Sequence, residues 1–131
     1  MSQIIENKKS DILKIKFEHK LWQHDLNFKQ EEIELYFLQL DKLYYISNRN
    51  PSYYQAQKYR TLLYKQIEVL QSLKASIAKH EQEILNQNNT ETSIRDHTGS
   101  RNAFVSYDKI YREMMQDVKH FLMDSWAEQN A

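Results

Sequence analysis

The chain has 131 residues, with 18 Lys and Arg against 18 Asp and Glu, one Gly, one Pro and no Cys. So few Gly and Pro, in a sequence filled with Leu, Lys, Gln, Glu, Ile and Tyr, favour long helices over a sheet, which would need many turns. The balanced, interleaved charges lack the basic stripe of a nucleic-acid binder, and the absence of Cys excludes disulfides, thiolate zinc sites and cysteine nucleophiles.

The expected class is all-α. The opening MSQIIENKKSDILK lacks the apolar core of a signal peptide, and no later run nears the roughly 20 apolar residues that span a bilayer. A cytoplasmic protein that binds neither membrane nor nucleic acid is the expectation.

Two breaks divide the sequence. In SNRNPS, from Ser47, Asn50 can cap a helix and Pro51 can be its first residue, where a missing N–H costs nothing. In NQNNTETSIRDHTGSRN, from Asn86, lies the single Gly, and no apolar residue precedes Ile94. The pattern predicts a single helical-bundle domain over 1–131. Its helices span about 10–47, 52–85 and 100–127, with a polar loop at 86–99 that carries His97. Asp96, Thr98 and Ser100 are then alternative caps of the third helix, with Arg95 and Arg101 flanking its start.

On the first helix, Ile12, Ile15, His19, Trp22, Leu26, Lys29, Ile33, Tyr36, Leu40 and Leu43 alternate steps of three and four, the inner stripe of an antiparallel up-down-up bundle. A second stripe, Phe17, Leu21, His24, Phe28, Glu31, Leu35, Leu38 and Tyr45, lies on nearly the opposite side. In FEHKLWQHD, His19 and His24 point roughly 140° apart and cannot hold one metal ion together. The second helix repeats the inner spacing with Tyr59, Leu63, Gln66, Leu70, Leu73, Ile77, His80 and Ile84. The third follows with Phe104, Tyr107, Tyr111, Met114, Val118, Phe121 and Ser125, widened by Ile110, Leu122 and Trp126. Met114 and Met115 read as fillers of core gaps.

Counting about 1.5 Å of rise per residue from the closed ends gives three levels. His19, His80 and Tyr107 or Asp108 fall together, with His97 in the loop beside them. Lys29 falls level with Gln66 and Asp117, and its ammonium must reach a carboxylate or run along its stem to water. At the far tip a shorter third helix leaves Tyr44, Tyr45, Tyr53, Tyr54 and Tyr59 poorly covered.

The plain reading of His19 and His80 is a hydrogen-bonded polar pair that fixes helix register. The sharper one is a divalent metal site of His19, His80 and His97, with ligands drawn from different helices; no other cofactor is called for. The di-iron carboxylate pattern is missing, since only Asp117-Val-Lys-His120 approximates Glu-x-x-His, and His120 with Asp124 reads as a solvated pair. With one Gly there is no phosphate-cradling loop or nucleophile elbow, and DHTGS reads as a turn and cap, so a non-enzyme is expected.

His19-x-x-Trp22, Leu26-x-Phe28, Glu32-Ile33, Lys79-His80-Glu81, Asp96-His97-Thr98-Gly99 and Phe121-Leu122 with Trp126 form a pattern that resembles a family of small uncharacterised bacterial helical-bundle proteins. The resemblance covers about residues 17–126 and departs at Arg49 to Tyr54, where the Pro and paired Tyr are unusual. It implies no activity, cofactor or catalytic residue.

Three functional readings follow. The leading one is a helical interaction or scaffolding protein that forms a homo-oligomer, a dimer in the first instance. Its interface would use Phe17, Leu21, Phe28, Leu35 and Leu38 with Tyr44, Tyr45, Tyr53 and Tyr54. The second is a metal-binding or ligand-sensing bundle. The third is an adaptor or chaperone-like protein that binds a partner helix.

Overall fold

A computed structural model describes the backbone of residues 2–47, 51–86 and 90–129, and the side chains of 10–46, 52–84 and 95–128. The chain is an all-α bundle of three helices, α1 (Ser2–Ser47), α2 (Pro51–Asn86) and α3 (Thr90–Gln129), each packed on the other two. The expected cap Asn50 lies outside the described residues. Among the described residues, no helix is long and apolar enough to cross a membrane.

The inner stripes form the core. Leu26, Ile33, Leu40 and Leu43 of α1, Ala56, Leu63 and Leu70 of α2, and Val118 of α3 are fully buried. Burying each of the larger side chains contributes about 1.5–3 kcal/mol, far more than helix propensity gives per residue. His19 lies beside His80 and Tyr44 beside Tyr53, so α1 and α2 run in opposite directions; Tyr59 against Phe121 and His80 against His97 set α3 antiparallel to α2.

α3 departs from the sequence expectation. It begins at Thr90, so most of the stretch expected to be a polar loop over 86–99 is helix, and Asp96, Thr98 and Ser100 are interior residues rather than caps. Polarity in this stretch reports exposure, not irregular backbone: Arg95, Asp96, Thr98 and Gly99 face solvent while His97 is buried. Gly99 is a sensitive reporter, since a Cβ built on it meets nothing within 4 Å. Gly99→Ala should therefore stabilise the protein by about 0.5–1 kcal/mol, read by urea denaturation. A destabilised variant would return this stretch to a turn.

The ten residues added to the start of α3 shift its levels by about three turns. His97, not Tyr107 or Asp108, comes level with His19 and His80. Asp108, not Asp117, meets Lys29; Asp117 is exposed. The expectation of a short third helix fails in the same way. Tyr59 packs on Phe121 with ring centroids 5.0 Å apart, Ser125 is buried and Trp126 packs against the core. Tyr44 stacks on Tyr53 at 4.4 Å, with the Arg60 guanidinium 4.6 Å from the Tyr44 ring. Tyr44 and Tyr53 are thus half-buried, and only Tyr45 and Tyr54 of the proposed tip contacts stay exposed. Ile110, expected to widen the core face, is also exposed.

Lys29 is the one buried lysine among the described residues. Its ammonium pairs with Asp25 one turn away and with Asp108 of α3 at 2.7 Å, and lies 5.1 Å from the centroid of the Tyr111 ring. Arg112 donates to Asp108 at 2.8 Å. Burial alone would raise the Asp108 carboxyl, but hydrogen bonds from Lys29 and Arg112 outweigh it and hold it below the usual value. Burial, with Asp25 and Asp108 nearby, pushes the Tyr107 hydroxyl up to about 12. Tyr111 donates to Glu32 at 2.7 Å. The cluster joins α1 to α3 at a single register.

Candidate metal centre

His19, His80 and His97, one from each helix, are all buried, and one ring nitrogen from each lies within 4.8 Å of the other two. The spacing has a simple origin. His19 and His80 occupy inner-stripe positions of α1 and α2, and the early start of α3 brings His97 to the same level. His24 and His120 are exposed and take no part.

Two carboxylates set the orientation of two rings. His19 Nδ1 bonds Glu81 of α2, and His97 Nε2 bonds Glu18 of α1 at 2.9 Å. A carboxylate only accepts, so the outer nitrogen of each ring carries the proton. That leaves Nε2 of His19 and Nδ1 of His97 facing each other at 3.2 Å. In the neutral rings both present lone pairs, an arrangement that favours a cation or a shared proton between them. Two metal–nitrogen bonds of about 2.0–2.1 Å at a tetrahedral angle place their nitrogens about 3.3–3.4 Å apart. The His19–His97 spacing of 3.2 Å matches that span, and His80 offers a third nitrogen within 4.8 Å of the other two. Carboxylate-backed imidazoles of this kind hold tautomer and orientation and raise ligand basicity.

The surroundings limit what can enter. Trp22 stacks on His97 with centroids 4.9 Å apart and on Phe104 at 5.2 Å, which closes one side with aromatic surface. A cleft of about 420 Å³, lined in part by Leu13, Lys16, His19 and Glu81, adjoins the His19 side of the centre. Arg101 anchors Glu18 through two bonds of 2.8 and 3.3 Å. Burial would raise the Glu18 carboxyl, yet the hydrogen bonds from Arg101 and His97 hold it below its ordinary value. Burial pushes the His97 imidazole down, helped by His19 and Arg101 and opposed by Glu18.

The three histidines named from the sequence are thus brought together, though Tyr107 and Asp108 are not their partners. Glu18, Glu81 and Arg101 were missed. A signal was present: an acid adjoins an inner-stripe histidine in both Glu18-His19 and His80-Glu81. Neighbours on one helix point about 100° apart, so neither acid serves its own histidine; each reaches a histidine of another helix.

No family model, no curated protein and no solved structure matches this chain.

Proposed function

We propose that the chain is a cytoplasmic metal-binding helical bundle that holds one first-row divalent ion at His19, His80 and His97, as a binding protein and not an enzyme. The observation that carries this reading is the pair of inward nitrogens 3.2 Å apart, each opposite a nitrogen bonded to a carboxylate. Buried imidazole donors select zinc, nickel, cobalt or copper over magnesium or calcium, which need oxygen ligands. Glu18 and Glu81 hold the outer nitrogens of His97 and His19 and so fix which nitrogens face the ion.

Titration of the metal-free protein with zinc at pH 7.5 tests the proposal. One ion per chain is expected, with binding lost in His97→Ala and His80→Ala and kept in the surface variants His24→Ala and His120→Ala. Binding kept in His97→Ala and His80→Ala would defeat the reading, and its loss in His24→Ala or His120→Ala would refer the metal to the surface.

A second reading, a homo-oligomeric interaction or scaffolding protein, is favoured by a separate observation. Phe17, Leu21, Phe28, Leu35 and Leu38 of the outer stripe are each at least half exposed. Single exposed apolar residues need no explanation, whereas five along one helix face, interrupted only by His24 and Glu31, support a surface for another protein. The two readings are compatible, since the metal lies inside the bundle and the stripe outside it.

A further inference from the structure

The outer face of α1 has a regular period. Leu21, Phe28, Leu35 and Lys42 form one set at seven-residue spacing, and Phe17, His24, Glu31, Leu38 and Tyr45 form the interleaved set. Such a run spans about 28 residues, or roughly 42 Å, and a helix of the same length and period is the surface that fits it. α1 itself is such a helix, with 46 residues.

We propose that two copies of the chain pair through this face in antiparallel orientation, with Leu21 of each opposite the partner's Leu38. The proposal rests on the homo-oligomer reading and adds its geometry. Charge decides the orientation. Side-by-side parallel pairing would set Glu31 against the partner's Glu31 and Lys42 against the partner's Lys42, like charges within the contact. Antiparallel pairing about the centre of the stripe overlaps it from Lys14 to Tyr45 and removes both clashes. Glu31 then meets the partner's Phe28, Phe17 lies along the stem of the partner's Lys42, and Lys20 on the flank comes beside the partner's Asp41, which Arg60 of its own chain also holds at 2.9 Å. On the opposite flank Asp25 and Glu32 could repel, but Asp25 turns to Lys29 and Glu32 accepts from Tyr111 within their own chain.

The area is sufficient. The exposed Leu, Phe and Tyr surface of this stripe amounts to on the order of 700 Å² per chain, above the few hundred that monomers usually leave open and close to the roughly 800 Å² per partner of a stable complex.

The chain has no cysteine, so introduced thiols give a clean readout. Lys20→Cys and Lys42→Cys leave every apolar residue of the stripe in place. Treated with a short thiol-reactive bismaleimide, a mixture of the two variants should give a cross-linked dimer, while each variant alone should not, the two thiols lying about 29 Å apart for Lys20→Cys and about 38 Å apart for Lys42→Cys. Lys42→Cys cross-linking to itself would overturn the antiparallel arrangement and leave self-association standing. Light scattering on the unmodified protein separates the two failures: a monomer at high micromolar concentration would overturn the homo-oligomer reading and this proposal with it.

Discussion

Zinc at about 100 times its dissociation constant should raise the melting temperature by about 10 °C at pH 7.5, and by little at pH 5. An ion that binds only the folded chain at that excess adds about 2.7 kcal/mol, and each kcal/mol moves the midpoint of a chain of this size by roughly 4 °C. His80→Ala should abolish the shift. The pH dependence has a definite sign. Burial lowers the folded pKa of His97 below its ordinary 6.5. The neutral imidazole therefore contributes stability that is complete above about pH 6.5 and is lost as pH falls through the folded value. Protons compete with metal for the same nitrogens over that range, so the zinc increment and the metal-free stability should fall together. Glu18 and Asp108, both held below their ordinary values of 4.5 and 3.8, add a second loss at lower pH. A zinc increment unchanged between pH 7.5 and 5 would exclude histidine ligation.

Lys29→Leu should lower stability by about 2–4 kcal/mol, a fall of roughly 10 °C in melting temperature. The leucine fits the apolar stripe, but it leaves Asp25 and Asp108 facing one site without the ammonium that both contact. Breaking a buried ion pair from one side costs about 3–5 kcal/mol, and the partial exposure of the two acids reduces that figure. Adding Asp25→Asn and Asp108→Asn to Lys29→Leu should recover part of the loss, because the carboxylates that faced the ammonium go with it while Asp108→Asn also gives up the pair with Arg112. The triple variant separates charge from packing: if it is as unstable as Lys29→Leu alone, the stem of Lys29 and not its charge holds the site.

Most of the core is legible in the sequence, because one spacing rule governs it. Ile15, Trp22, Leu26, Ile33, Leu40 and Leu43 follow the steps of three and four, and all are buried. The same rule places His19, Lys29 and His80 inside and leaves Phe17, Leu21 and Leu35 outside. The start of α3 is not legible this way. Between Asn86 and Arg101 the chain offers Ile94 and His97 as its only inward candidates, too few to define a period, and Gly99 argues against a helix on propensity. Tertiary contacts decide instead: His97 is held by Glu18 and stacked on Trp22, and Arg101 also binds Glu18. Missing those turns displaced every level of α3 together. Asp108 and Asp117 exchanged places beside Lys29 for that reason, and His97 came to the centre through a helix rather than a loop. The carboxylates of the site were hidden by a related limit, since periodicity along one helix cannot reveal an acid that serves a histidine on another.

The central claim, a metal ion held between three helices, is tested most directly by anomalous X-ray scattering at the zinc edge from crystals grown with zinc. A single peak about 2 Å from a ring nitrogen of each of His19, His80 and His97, with Nε2 of His19 and Nδ1 of His97 as donors, is the predicted result. An empty centre, with zinc only at exposed residues such as His24 or His120, would contradict it.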